Sequence, residues 1–495
     1  MITVMPTGWT IFSIADLGGM SGGKTPSKGN PQFWSSHDVP WVSPKDMKKN
    51  VLNDSEDRIS QLAVDQAGMT LYPANSVLMV TRSGILQHTF PVALSSVQLT
   101  VNQDIKVLRP TEGLVPKLFF YMLKRFGTDI LSTCSKDGTT VQSIDSEKLE
   151  AFLLPLPPLA EQTRIAAKLD ELLAQVDTLK TRTGGIPALL RRFRQSVLSA
   201  AVSGRLTEEW RSHRAAIDKG SELHQQIKNA HTAEGGHARG NASNPTEEAH
   251  DLSSDDLPDS WDIAELRDVC VPGRPITYGI LKPGPELEEG VPYIRVADFP
   301  GNKLNTANIK KTSSEIDQQF KRARLLENDL LLSIRGSVGR LIKIPASLEG
   351  ANITQDTARL SISPLILTDF VYWVLLADST QRRMKNATRG VAVRGINIGD
   401  VRALQIPLPP YNEQAEIVRR VEQLFAFSDQ LEARVRAAQE RIDNLTRSIL
   451  AKAFRGELVP QDPNDEPASV LLDRIKAQRA AAPKAKRGRQ TAKSN

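Results

Sequence analysis

Leu154-Pro-Leu-Pro-Pro-Leu-Ala-Glu-Gln162 returns 252 residues later as Ile406-Pro-Leu-Pro-Pro-Tyr-Asn-Glu-Gln414. Each proline fixes its own φ and biases its predecessor away from helix, so both runs must be extended chain. The segment after each run is helical, because apolar residues at once take up heptad spacing. In the first copy Ile165, Leu169, Leu172, Val176 and Leu179 alternate steps of four and three. In the second, Ile417, Val421, Leu424, Ser428, Leu431, Val435, Ala438, Ile442, Leu445 and Ile449 do the same. Sustained four–three alternation with charged flanks predicts a coiled-coil seam. Each helix ends near a glycine, Gly204 or Gly456, as a C-cap requires. About 40 residues at roughly 1.5 Å each would make a rod of about 60 Å. Gly184-Gly185 and Pro187 predict a kink in the first.

The same offset holds well beyond these runs. Pro6 and Trp9 fall on Pro258 and Trp261, Asp16 on Asp268, and Pro40-Trp41-Val42 with Asp46 on Pro292-Tyr293-Ile294 with Asp298. Gln103-Asp104 falls on Gln355-Asp356, Gly138, Val141 and Ile144 on Gly390, Val393 and Ile396, and Ser203-Gly-Arg-Leu206 on Arg455-Gly-Glu-Leu458. One offset held through so many landmarks is a tandem duplication. The landmarks are mostly apolar, Gly and Pro, the kinds that fix a fold. Between them, segments such as Ser21–Gln32 and Gly273–Gly284 share almost nothing. One scaffold with two unlike surfaces implies two different targets.

Each copy opens with about 150 residues that mix short strand-like runs with a few helices. Ser76–Val80, Val97–Val101 and Ile105–Leu108 read as strands and Val115–Arg125 as a helix; Asp329–Ile334, Ala358–Ile362 and Leu367–Leu376 repeat the pattern. This is an α+β domain. The reading gives globular domains at 1–155 and 255–407, helical regions at 156–212 and 408–480, a polar linker at 213–254 with a nascent helix near Ser221–Ala230, and a basic, disordered tail at 481–495. Two helices of matching pattern are expected to pack on each other as an antiparallel coiled coil. That would place the two domains at opposite ends of a pseudo-two-fold internal repeat.

Composition narrows the function classes. The net charge of +6 falls to +1 once Lys484, Lys486, Arg487, Arg489 and Lys493 of the last fifteen residues are set aside. Any surface for nucleic acid must therefore be a local patch. The longest apolar run, Phe370–Ala377, suits a buried helix and falls short of a membrane span. Cys134 and Cys270 offer neither a disulfide framework nor metal spacing, and read as reduced thiols of a cytoplasmic protein. Five of seven histidines, His213, His224, His231, His237 and His250, lie in the linker without a metal template and are expected to be solvated.

One catalytic pattern needs weighing. Gly18–Thr25 satisfies G-x-x-x-x-G-K-[ST], a phosphate-cradling loop that needs a buried strand before it and a helix running on from Lys and Thr. Ile11–Leu17 is a poor buried strand, Pro26, Gly29 and Pro31 would break any helix after it, and the sister copy has Gly273-Arg-Pro-Ile at that offset. A glycine-rich turn is the better reading, and nothing else forms a catalytic set. Asp46 and Asp298 suit turn capping as well as a base contact. A scaffold that ignores base sequence is the other rival. For reading DNA, polar side chains in turns beside rigid strands are needed. Lys24, Thr25, Ser27, Lys28, Arg82, Thr139, Thr140 and Gln142 in the first copy, and Arg295, Arg335, Ser337, Arg340, Arg389 and Arg394 in the second, supply them.

Two repeats, each opening with Pro-x-x-Trp and closing with Pro-Leu-Pro-Pro-x-x-Glu-Gln before a long helix, resemble the specificity subunits of type I restriction–modification systems. Gly22–Lys28 followed by Pro40-Trp41-Val42, Leu331–Gly339, and Phe454–Leu458 with Gln461–Pro467 are similar to stretches of that family. The resemblance implies two target recognition domains, each reading one half of a split, asymmetric double-stranded DNA site. It implies paired helices that set the spacer and dock two methyltransferase subunits, and restriction/translocase subunits that join for cleavage. It further implies that this chain is not an enzyme and binds no cofactor. S-adenosylmethionine for adenine methylation, ATP and Mg would then sit on partner subunits.

Overall fold

A computed structural model describes residues 5–17, 20–109, 114–136, 142–214, 218–233, 252, 256–389 and 394–481. The chain divides into two compact units, residues 1–184 with 437–495, and residues 185–436. The length suggests three or four units. There are two because the long helices do not stand apart: each is shared out between the units and buried against them.

In the first domain the strands are β1 (Thr10–Ser13), β2 (Met20–Gly22), β3 (Val39–Val42), β4 (Val51–Leu52), β5 (Asp57–Ile59), β6 (Val77–Val80), β7 (Val92–Ser95), β8 (Thr100–Val101), β9 (Ile105–Leu108), β10 (Ser135–Lys136), β11 (Ser143–Ile144) and β12 (Leu153–Leu156). They form a five-stranded sheet β2-β9-β6-β7-β4, a three-stranded sheet β5-β3-β8, and the pairs β1-β12 and β10-β11. All four residues of β6 and of β7 are buried, so these strands read as continuous apolar runs without alternation. The helix Pro116–Cys134 packs against them through Leu118, Phe119, Met122 and Ile130.

The second domain repeats the plan with β13 (Asp262–Glu265), β14 (Thr277–Tyr278), β15 (Val291–Ile294), β16 (Lys310–Thr312), β17 (Leu330–Ser333), β18 (Leu341–Lys343), β19 (Asn352–Ile353), β20 (Thr357–Leu360) and β21 (Gln405–Leu408). Its sheets are β14-β20-β17-β18, β16-β15-β19 and β13-β21. The two-residue period of a strand divides β17 between two cores. Leu330 and Leu332 meet the helix Thr368–Leu376, while Leu331 faces Ile294, Phe299 and Ile353. The domain is thus α+β with strands buried on both faces.

The repeated motif works as a joint. The Pro-Leu-Pro-Pro run forms the closing strand, β12 or β21, paired antiparallel with the opening strand, β1 or β13. The Trp of Pro-x-x-Trp then reaches the Glu of the same motif. Trp9 Nε1 donates to Glu161 Oε2 at 2.8 Å, and Trp261 Nε1 to Glu413 Oε2 at 2.9 Å. The glutamines tie the helix start to the domain. Gln162 accepts from Val115 N–H and donates to Pro157 O; Gln414 accepts from Leu367 N–H and donates to Pro409 O. All four polar side chains are buried, which is tolerable only because they are bonded.

The two joints differ in charge. Glu413 also accepts from Thr207 Oγ1 at 2.7 Å and pairs with Arg211. Glu161 has no such partners: its Oε1 is buried without one, and burial holds the carboxyl above its ordinary range despite the Trp9 bond and the nearby Arg164.

Within each unit two helices run antiparallel. In the first unit the helix Leu159–Gly184 lies along residues 437–453, with Lys180 Nζ 2.9 Å from Asp443 Oδ1 and Gln439 donating to Thr183 O. In the second, Ile186–Val202 lies along residues 411–436, with Arg194 donating to Ser428 Oγ at 2.9 Å and to Asp429 at 2.5 Å. The helix Tyr411–Ala453 is continuous. The first helix divides at Gly184, although Gly185 keeps helical torsions.

Of the seam residues, Ile165, Leu169, Val176, Ile417, Val421, Ile442 and Ile449 are buried, and Leu172, Leu424, Leu431 and Val435 half-buried. Leu179 is a correction: it is 43 % exposed, because Lys180 and Thr183 make the cross-helix contacts at that level. Leu445 is likewise exposed. Gly204 and Gly456 both have φ +74°, which ends the helices as expected.

The nascent helix expected near Ser221–Ala230 of the linker is present, and the second correction concerns its histidines. Residues Gly220–Ala233 form a helix that packs on the second domain, burying Leu223 and Ile227. Its histidines are not solvated as expected. His224 is buried with Nδ1 2.7 Å from Asp262, and His231 Nε2 lies 2.8 Å from Asp268 O. The helix starts with Gly220 N–H donating to Ser260 O at 2.7 Å. The first unit closes the same way: the helix Ala468–Ala481 starts with Ala468 N–H donating to Gly8 O and buries Leu471, Leu472 and Ile475. Each such side chain is worth roughly 1.5–3 kcal/mol. Residues 234–251 and the basic tail lie outside the described residues.

Candidate nucleic-acid interface

In each domain three turns and a short strand meet at one edge. In the first, the loop after β2 crosses β8 so closely that a Cβ on Gly23 would fall 1.7 Å from Val101 O. Lys24 N–H donates to that carbonyl at 3.1 Å, and Trp41 Nε1 caps Lys24 O at 3.0 Å. Thr25 Oγ1 then donates to Gln103 Oε1 at 2.7 Å. Gln103 belongs to the turn between β8 and β9, whose Asp104 carbonyl accepts from Thr81 and Arg82 at the end of β6. Arg82 is ion-paired to Asp104 at 2.6 Å. Ser143 of β11 lies between Arg82 and Lys136, and Ser83 N–H donates to Gln142 O.

The second domain builds the same edge from other residues. A Cβ on Gly279 would fall 1.9 Å from Ile353 O, and Ile280 N–H donates to that oxygen at 2.7 Å. Asp356 O accepts from Ile334 and Arg335 at the end of β17, and Gly336 N–H donates to Arg394 O. Gly395 is bridged on one side to Arg335 and on the other to Arg389. Arg335 Nη1 donates to Gln355 Oε1 at 3.2 Å. Together with Tyr278, Asn397 and Asp356 these residues line an open cleft of about 670 Å³.

This corrects the alignment of the loops. The counterpart of Gly23-Lys24-Thr25 is Gly279-Ile280-Leu281, not Gly273-Arg-Pro-Ile, because four more residues precede the crossing in the second copy. The phosphate-loop pattern also loses its geometry: residues 20–22 are strand and no helix runs on from Lys24-Thr25. Calorimetry with ATP is expected to show no heat of binding for the intact chain or for Lys24→Ala. Saturable binding lost in the variant would restore the nucleotide reading.

Thr25, Arg82 and Gln142 gather at one edge, and Arg335, Arg389 and Arg394 at the other. The remaining candidates do not join them. Exposed Lys24 points its amine toward the Gly68 turn, and exposed Ser27 and Lys28 lie further along the loop, where Ser27 O accepts from Trp34 Nε1. Arg295 is pinned by its own turn, bonded to Asp298 at 2.5 Å, and Arg340 reaches Val296 O. Ser337 is exposed, with its carbonyl accepting from Ser333. Thr139 and Thr140 lie outside the described residues. Asp46 and Asp298 cap turns, each accepting a backbone N–H at 2.8 Å, from Ser43 and Arg295. Sequence reasoning passed over Gln103, Gln355, Tyr278 and Asn397. The Gln-Asp pair carried a signal, as a polar landmark repeated among apolar ones.

Both cysteines are buried and free, and burial pushes the Cys270 thiol up to about 12, which makes it inert. Among the described residues no cluster of His, Cys, Asp or Glu could hold a metal, and no helix is long and apolar enough to cross a membrane.

Fold and edge together define a tandem reader: one scaffold, twice, with different polar side chains at the same place. The family model for the type I restriction modification DNA specificity domain matches residues 6–187 and again 258–440. The chain belongs to that family and is a type I restriction–modification specificity subunit. It is 38% identical over 392 residues to the EcoBI specificity subunit of Escherichia coli, covering 77% of this chain and 76% of the relative. To the EcoKI specificity subunit of Escherichia coli K12 it is 33% identical over 368 residues, 70% and 68% of the two chains. The fold is shared with the HsdS subunit of Thermoanaerobacter tengcongensis, at TM-score 0.51 and 19% identity over 92% of this chain and 98% of that one. A chain from a structure describing assembly of the type I R-M system aligns at TM-score 0.62 and 18% identity, covering 92% and 99%.

Proposed function

We propose that the chain reads a split, asymmetric sequence in double-stranded DNA, one half through each domain, and performs no chemistry itself. Among the described residues its edges offer hydroxyls, amides and guanidinium groups without a nucleophile and base in contact. The helical regions serve to recruit two methyltransferase subunits, and restriction/translocase subunits join for cleavage, all in the cytoplasm. S-adenosylmethionine, ATP and Mg belong to those partners. The observation that carries this reading is the matched pair of edges. Backbone bonds are the same in both, but Thr25 occupies the Gln103 amide in one and Arg335 the Gln355 amide in the other. A mere scaffold would have no need of two unlike faces on one frame.

Long-read methylation mapping, with and without the gene, tests it. N6-methyladenine at one split motif is expected only when the chain is present. Methylation unchanged at every split motif would refute the proposal.

A further inference from the structure

The two edges place cations at matching positions and then treat them differently. In the first domain Arg82 is paired with Asp104 at 2.6 Å and Lys136 with Asp145 at 3.4 Å, so the four charges cancel. In the second, Arg335 and Arg389 stand at those positions on either side of Gly395. Asp104 has the counterpart Asp356, but the counterpart of Asp145 is Asn397. Both Asp145 and Asn397 cap the next helix, accepting from Glu147 and Gly399 N–H respectively. The capping role is thus kept while the charge is dropped: these four positions sum to +1 in the second edge and to zero in the first, and Arg394, which stands where the first has Gln142, adds a further positive charge. Among the described residues neither Arg335 nor Arg389 makes an ion pair, and both are exposed.

We propose that Arg335, steadied by Gln355 beside Arg389, reads a guanine in the half-site of the second unit. Among the described residues the Arg335 guanidinium is bonded only through Nη1, to Gln355, which leaves the Nε and Nη2 donors for O6 and N7 of one base. Gly395 makes room for the side chain: a Cβ there would lie 3.1 Å from Arg335 Cγ. Arg389, one strand away, adds positive potential without sharing the contact. In the first unit the equivalent arginine spends Nε on Asp104, and the Thr25 hydroxyl takes the place on Gln103 that Arg335 has on Gln355.

This rests on the reading that each unit takes one half-site, and the test separates the two. Once the motif is mapped, duplexes with 7-deazaguanine at each guanine are bound by the intact methyltransferase complex. One guanine of one half-site is expected to lose about 5–150-fold in affinity when N7 is removed, equivalent to roughly 1–3 kcal/mol. In Arg335→Ala or Arg335→Gln that penalty should vanish, while Arg82→Ala leaves it intact. Gln355→Ala should shrink it without abolishing binding. Absence of any N7-sensitive guanine in the wild-type complex overturns the assignment, as does an undiminished penalty in both Arg335 variants. A wild-type complex with no split motif overturns the parent reading instead.

Discussion

Glu413→Gln is expected to cost the second unit about 3–5 kcal/mol, while Glu161→Gln at the matching position stays within about 1 kcal/mol of wild type. The residues occupy one place in the repeat and both accept from a tryptophan. Glu413, however, neutralises Arg211, which is 13% exposed and packed against the Trp261 ring. An amide there leaves a largely enclosed cation without its counter-charge. Glu161 faces no paired cation, and its Oε1 has no partner to lose. Its carboxyl is raised by burial, so whatever stability the proton contributes is present at low pH and lost as pH rises through the raised value. A permanently neutral glutamine should therefore be at least as stable as wild type at neutral pH, with the difference closing on acidification. Hydrogen exchange at β17 and β20, compared with β6 and β9, resolves the two units. Equal losses at both positions would show that the charge difference is without consequence.

Gly279→Ala should be nearly as damaging, at about 3 kcal/mol, the upper end for overpacking. The obstacle is a backbone carbonyl, 1.9 Å from the new carbon, and a strand cannot yield as a side chain would. The loop bearing Tyr278 and Leu281 must lift, so methylation should lose specificity in one half of the motif. Gly23→Ala, 1.7 Å from Val101 O, should do the same to the other half. Gly184→Ala is the control, since nothing lies within 4 Å of its Cβ. It should be neutral or stabilise by up to about 1 kcal/mol, as expected inside a helix. Thermal unfolding combined with motif mapping checks all three. A Gly279 variant as stable and as selective as wild type would contradict the close crossing.

The repeat was legible because its landmarks are backbone-defining residues that no surface function disturbs. Trp9, Pro155 and Gln162 each solve a local problem, and the same solution appears twice. The antiparallel seam followed from Val176 and Ile442, yet Leu179 misled, since heptad spacing continued past the point where polar contacts take over. The loop equivalence was hidden because a fixed offset cannot cross an insertion. Gly23 and Gly279 are matched by what they touch, not by their rank in the chain. Among the site residues, an arginine in a turn says nothing about its freedom. Arg295 and Arg335 look alike in sequence, but an aspartate three residues on consumes the first.

The closing helices have a consequence for how the molecule is made. The second unit is one unbroken stretch, residues 185–436, whereas the first joins residues 1–184 to 437–495. Its final contacts, Ala468 on Gly8 and Arg479 on Ala15 O, span more than 450 positions of chain. On the ribosome the later-encoded unit can therefore finish folding before the earlier-encoded one, whose core lacks Leu471, Leu472 and Ile475 until the last segment emerges.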